Sequence, residues 1–429
     1  MRRPRARGRR RARPRPVRRG SPGGGARLAP PPRDRSGARA GGRRGCGRAH
    51  RPPPRTPEGA GLRRRRRAAR RFGRRGHHAE GRQGPRDGRA HDHVGDPTLS
   101  EARRQLYPTI QPYRTGQFDV GDGHVLYFEL CGNPDGKPVI FLHGGPGSGC
   151  NPSHRRLFDP DRYNVLLFDQ RGCGRSSPLG SLEANTTHHL VADVERLRRM
   201  VGFERAMLFG GSWGSTLALA YAQAHPARVT DMILRGVFTG RRAEFDWYYR
   251  DGASRLFPDE WERFLEPLSE AARGDPIAAY RPLLLDPDRN VRARAARAWT
   301  DWEARTVSMR ALHDMAGGFG ASDHAIAFAR IENHFFVHDL WLEEGQLVRD
   351  AGRLAGIPGI IVQGRYDVVT PPVTAWDLHR AWSGSELQIV EDAGHAFSEP
   401  GILDRLILAT DRFALHNEGS VSPERSVGS

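Results

Sequence analysis

One pentapeptide constrains this chain more than any other feature: Gly210-Gly211-Ser212-Trp213-Gly214, its only Gly-x-Ser-x-Gly. A short apolar run of strand length, residues 206–209, precedes it, and an Ala/Leu-rich segment with helical spacing, residues 215–221, follows. Strand, tight turn and helix with a serine at the turn predict a nucleophile elbow. The glycines two residues either side of Ser212 fit that reading, because a strained turn needs neighbours small enough for close backbone approach. The turn lifts the hydroxyl clear of the sheet and leaves the Trp213 N–H free at a helix N-terminus, where developing negative charge is favoured.

Charge divides the chain sharply. The net charge is +19, but residues 1–100 hold 32 arginines and no lysine against 6 acidic residues, a local charge of +26 that leaves −7 for the remainder. Arguments from basicity to nucleic acid or membrane therefore apply to that tract alone. Residues 1–95 are Arg, Gly, Pro and Ala with one aromatic, Phe72. Such a composition buries too little apolar surface to offset chain entropy, and the expectation is disorder. Lys137 is the only lysine, which fits a GC-rich genome. A start assigned too far upstream would yield this tract, so the cellular protein is expected to begin near Val94. Runs such as residues 63–67 would otherwise serve as an electrostatic nucleic-acid tail, if translated.

Cys46, Cys131, Cys150 and Cys173 form no C-x-x-C pair, and their spacing suggests neither a zinc site nor a disulfide framework. Free thiols in a reducing cytoplasm are expected. No apolar run reaches membrane-spanning length, and the N-terminus lacks the apolar stretch of a secretory signal.

Order is expected from about residue 104. Residues 118–130 read as a hairpin turning at Gly121-Asp122-Gly123, and residues 138–142 and 163–168 as buried strands. Residues 185–201 read as a helix with Leu190, Val194, Leu197 and Val201 on one face. The elbow follows, then a strand over 231–235. Residues 239–348 are Trp-, Arg- and Ala-rich with no clear strand, and predict a helical cap. The sheet pattern resumes with strands at 359–363 and 386–390, a helix at 372–382 between them, a last helix at 401–416 and a frayed tail at 417–429. Strands alternating with helices over 104–238 and 349–416 imply a mostly parallel, doubly wound sheet.

Each of two loops after a late strand offers a partner for the serine. Asp367 lies four residues past the strand ending at Gln363, and His395 five past the one ending at Val390. The order Ser, acid, His is that of an α/β-hydrolase triad. His395 would take the Ser212 proton and return it to the leaving group, while Asp367 would hold the imidazole's tautomer. Asp392 and Asp377 are rivals for the acid. His143-Gly144-Gly145 follows a buried strand upstream of the elbow, where this fold supplies its second oxyanion donor, so the backbones of Gly145 and Trp213 are expected to form the hole. Ser212 at the elbow, rather than an aspartate, disfavours an epoxide hydrolase or dehalogenase.

Four segments together resemble prolyl aminopeptidase, also called proline iminopeptidase: His143-Gly-Gly-Pro-Gly147, Asp169-Gln-Arg-Gly-Cys-Gly-Arg-Ser176, Gly210-Gly-Ser-Trp-Gly-Ser-Thr-Leu217 and Arg330-Ile-Glu-Asn-His-Phe335. The resemblance runs from about residue 107 to about residue 415, cap included. It implies a serine exopeptidase that releases the N-terminal proline of peptides and needs no metal or organic cofactor. It also implies that Glu303 and Glu332 bind the terminal amine, that Phe238, Tyr248 and Phe336 line a slot for the pyrrolidine ring, and that Arg235 orients the cap carboxylates. The rival functions are an esterase or amidase with the same triad, and a nucleic-acid-binding protein acting through the arginine tract.

Overall fold

In the computed structural model the described residues are 103–309 and 322–415. The expectations for residues 1–95 and 417–429 lie outside them.

Eight strands form one sheet: β1 (Arg114–Gly121), β2 (His124–Gly132), β3 (Lys137–Leu142), β4 (Tyr163–Phe168), β5 (Ala206–Ser212), β6 (Val229–Val237), β7 (Gly359–Gly364) and β8 (Ser385–Val390). Their spatial order is β1-β2-β4-β3-β5-β6-β7-β8. The β1–β2 hairpin and the β2–β4 pair are antiparallel, and every later pair is parallel. The sheet is therefore mostly parallel, and this is the α/β-hydrolase arrangement that alternating strands and helices imply.

Side chains alternate between two cores, as a strand's two-residue period requires. Ile140, Leu142, Leu166, Phe168, Leu208 and Leu234 point into one, and Val139, Phe141, Val165, Leu167, Phe209 and Ile233 into the other. Both faces are covered, so β3 to β7 read as continuous apolar runs and not as alternating ones.

Twelve helices accompany the sheet among the described residues. The first three are α1 (Pro152–Arg155), α2 (Thr187–Met200) and α3 (Trp213–Ala224). Between β6 and β7 come α4 (Arg242–Tyr249), α5 (Ala253–Leu256), α6 (Pro258–Leu265), α7 (Pro276–Leu284), α8 (Arg289–Thr306), α9 (Asp323–Phe336) and α10 (Gln346–Arg349). The last two are α11 (Pro372–Ala381) and α12 (Pro400–Leu415). No strand interrupts the described part of the stretch between β6 and β7. Its aromatics do not form a separate core: Phe264, Tyr280, Trp299 and Trp302 join the cluster that contains Leu208, Trp213 and Leu217. Among the described residues no helix is long and apolar enough to cross a membrane.

Candidate active site

β5 delivers Ser212 into a conformation that a non-glycine residue seldom adopts, φ 57° and ψ −127°. The flanking glycines make the turn sterically feasible. A Cβ at Gly210 would lie 2.2 Å from the Gly214 carbonyl oxygen, and one at Gly214 would lie 2.1 Å from the Leu142 oxygen. Helix α3 thus starts pressed against the end of β3, and its first residue, Trp213, presents its backbone N–H beside the serine.

The loop after β3 is locked to that helix through Gln170. The Gln170 backbone N–H donates to His143 Nε2 at 3.0 Å, its side-chain amide donates to the His143 carbonyl at 3.0 Å, and its Oε1 accepts from Trp213 Nε1 at 2.9 Å. His143 Nδ1 lies 2.9 Å from the Gly144 carbonyl oxygen and 3.2 Å from the Gly149 backbone nitrogen. Burial holds this imidazole below the usual histidine range. One fully buried glutamine therefore ties the loop carrying Gly144 and Gly145 to the elbow.

The β7 and β8 loops bring Asp367 and His395 together: Nδ1 lies 2.8 Å from Asp367 Oδ2. Every other partner of that carboxylate is also a donor. Val369 N–H at 3.0 Å and Thr370 N–H at 2.8 Å donate to Oδ1, while Gln363 Nε2 and Thr370 Oγ1, both at 3.0 Å, donate to Oδ2. The rivals stand elsewhere. Asp392 pairs with Arg103 at 2.6 Å and Asp377 with Arg241 at 2.8 Å.

Ser212 and His395 line one cavity of about 340 Å³, together with Gly144, Gly145, Arg235, Phe238, Tyr248, Glu303, Glu332 and Phe336. Phe238 and Phe336 meet edge to face at 6.1 Å, and Phe245, also on the wall, stands 5.6 Å and 5.1 Å from them. In the same cavity, Glu303 of α8 and Glu332 of α9 hydrogen-bond to each other. Tyr249 Oη donates to Glu303 Oε1 at 3.0 Å, and Trp299 Nε1 to Glu332 Oε2 at 2.7 Å. Burial raises both carboxyls. The charge of Glu303 and the hydrogen bond between them push Glu332 well above the carboxylate range, whereas its two donors restrain Glu303. A hydrogen bond between two carboxyls needs one of them protonated, and burial favours that shared-proton state of the pair.

A family model described as alpha/beta hydrolase fold matches residues 137–401. Proline iminopeptidase from Xanthomonas citri is 53% identical over 72% of this chain and 100% of that protein. Proline iminopeptidase from Xylella fastidiosa (strain Temecula1) is 52% identical over 72% and 99%, and that from Arabidopsis thaliana 47% over 72% and 82%. The chain belongs to the proline iminopeptidase family. The crystal structure of VinJ, 20% identical with a TM-score of 0.51 over 71% of this chain and 99% of its own, shows the same fold.

One site residue sits differently from expectation. Arg235 was expected to orient the cap carboxylates, but its guanidinium Nη1 lies 3.0 Å from His395 Nε2 and donates to the His395 carbonyl at 3.0 Å. The reason is local. Arg235 belongs to β6 and runs beneath the elbow, so close to Gly211 that a Cβ there would lie 2.5 Å from Nη2. Burial lowers its pKa to about 10, partly opposed by the charge of Asp367. Four contributors escaped the sequence reading: Gln170, Tyr249, Trp299 and Phe245. For Tyr249 a signal existed, since it follows Tyr248 and lies four residues past Phe245 on one short helix. For Gln170 the signal was its place in residues 169–176, a segment that carries the family resemblance, although nothing there gave it a role.

Proposed function

We propose that this chain releases an N-terminal proline from peptides, as the names of its relatives state for them, through a serine acyl-enzyme. Ser212 Oγ attacks the proline carbonyl carbon and gives its proton to His395 Nε2. The carbonyl oxygen becomes an oxyanion against the backbone N–H groups of Gly145 and Trp213. Collapse breaks the C–N bond, and His395 returns the proton to the departing peptide amine. Water then adds to the acyl carbon with His395 as base, the ester C–O bond breaks, and Ser212 recovers its proton as proline leaves. The Phe238, Tyr248 and Phe336 wall takes the apolar ring, and Glu303 with Glu332 takes the charged ring nitrogen.

The observation that carries this reading is the buried carboxyl pair in the cavity of Ser212. A hydrolase for neutral esters gains nothing from it, and two acids sharing a proton in an apolar cap are costly to maintain. A cationic nitrogen stabilises the ionised pair and forms charge-assisted hydrogen bonds to both oxygens. Glu303→Gln and Glu332→Gln are each expected to weaken kcat/KM for a prolyl arylamide by about 1.5–3 kcal/mol, with far smaller losses on p-nitrophenyl acetate. Acylating the proline nitrogen should abolish cleavage. Equal losses on both substrates, or cleavage of the acylated compound, would point to an esterase or amidase instead.

A further inference from the structure

Two backbone hydrogen bonds connect Glu303 to the catalytic histidine. Val307, the residue that ends α8, donates its N–H to the Glu303 carbonyl at 3.0 Å. Its own carbonyl accepts from the backbone N–H groups of His395 at 3.1 Å and Ala396 at 2.8 Å. The loop carrying His395 is thus hydrogen-bonded to the end of the helix carrying Glu303, and neither contact involves the sheet.

Glu399 closes this junction from the other side. Its backbone carbonyl accepts the Leu403 N–H at 2.9 Å at the start of α12, which fixes its position. Its carboxylate then reaches back over the loop. Oε2 accepts from Gly394 N–H at 2.9 Å, and Oε1 from Met309 N–H at 3.3 Å and Ser308 Oγ at 3.4 Å. Gly394 precedes His395, while Ser308 and Met309 continue directly from Val307. Among the described residues no arginine or lysine forms a salt bridge with Glu399. The carboxylate is instead committed to bridging two backbones. Glutamine cannot replace it without loss, because one oxygen would become an NH₂ group facing N–H donors.

We propose that Glu399 is a positioning residue that couples occupation of the amine site to the placement of His395. This rests on the reading of Glu303 as an amine ligand. A substrate nitrogen held by Glu303 fixes the last turn of α8, and the Val307 and Glu399 contacts carry that constraint to the loop whose imidazole must meet Ser212. The enzyme thereby favours substrates with a free N-terminal amine in turnover as well as in binding. Displacing a catalytic group by a fraction of an ångström is enough to matter, since rates depend steeply on near-attack geometry.

The test is a double-mutant cycle between residues 303 and 399 read on two substrates. Glu399→Gln is expected to lower kcat for a prolyl arylamide about tenfold with KM within about twofold, and to lower turnover of p-nitrophenyl acetate by less than about threefold. In a Glu303→Gln background the same change should cost less than about threefold on the arylamide. Equal losses on both substrates, or a full tenfold loss in the Glu303→Gln background, would overturn the coupling and leave Glu399 a plain loop support. If Glu303→Gln alone loses as much on the ester as on the arylamide, the premise itself falls, and that outcome is visible before residue 399 is touched. Should Glu399→Gln fail to fold, Gly394→Ala probes the same junction, because its methyl would lie 3.0 Å from Glu399 Oε1 and 3.4 Å from Met309 Cγ. It is expected to give the same substrate-dependent split, and its absence would sink the proposal.

Discussion

His395 has a donor-only neighbour on one nitrogen and an acceptor on the other, and that asymmetry fixes its tautomer. A guanidinium has no lone pair to offer, so the Arg235 contact at 3.0 Å makes Nε2 the acceptor. The ring proton must then sit on Nδ1 and point at Asp367 Oδ2, 2.8 Å away. This is the tautomer a general base needs, because the free pair on Nε2 is what removes the Ser212 proton. Arg235 occupies that lone pair here, and the reaction proposed above requires it to yield the lone pair to Ser212. If Ser212, His395 and Asp367 act as one unit, Ser212→Ala and His395→Ala should each reduce kcat on a prolyl arylamide by at least about 10³-fold, with the double variant hardly worse than either. Losses that multiply in the double variant would mean the two residues act separately.

The elbow depends on the strand beside it as much as on its own sequence. Gly214 opens α3 directly against the Leu142 carbonyl of β3, and β3 leads into the loop with Gly144 and Gly145. A methyl group at position 214 would push helix and strand apart and move both backbone N–H groups proposed to hold the oxyanion. Gly214→Ala should therefore cost about 3 kcal/mol or more of stability in urea unfolding, at the upper end of overpacking effects, and reduce kcat more than it raises KM. A variant of unchanged stability and turnover would show that the close approach is not required. Elements of this kind were legible in the sequence because their rules are local: a glycine either side of a serine, a strand before, a helix after. The loops of Asp367 and His395 were legible for the same reason, each following an apolar strand by a few residues. What the sequence hid was pairing across elements. Trp299 and Glu303 share a face of α8 at four-residue spacing, yet the Trp299 N–H serves Glu332 of α9, and Tyr249 of α4 serves Glu303. Arg235 misled for a related reason, since its chemistry suited a carboxylate and only the sheet order places it under His395 instead.

The buried Glu303–Glu332 pair has a consequence for the stability of the whole molecule. The cap aromatics belong to the same apolar cluster as α3, so the Glu303–Glu332 pair is desolvated only while cap and sheet remain packed together. Global unfolding returns both carboxyls to water. Their folded pKa values are raised, Glu332 well above the ordinary value of 4.5. A carboxyl raised in the folded state binds more protons there than in the unfolded state, so stability falls as pH climbs from about the unfolded value toward the folded one. The loss is complete once pH exceeds the folded value. Replacing Glu332 with glutamine removes a titrating group but keeps an oxygen for the Trp299 N–H. Glu332→Gln is therefore expected to melt a few degrees higher than the parent at pH 8, on the scale of ~1 kcal/mol for a domain of this size, while the two proteins converge near pH 5. Activity on prolyl substrates should move the opposite way, since in the proposed reading it is the ionised Glu332 that meets the substrate nitrogen. Thermal unfolding of both proteins across pH 5–8 decides the matter. A glutamine variant that is less stable at pH 8, or equally offset at every pH, would show that the pair supports the cap and that its ionisation contributes nothing to the balance between stability and function.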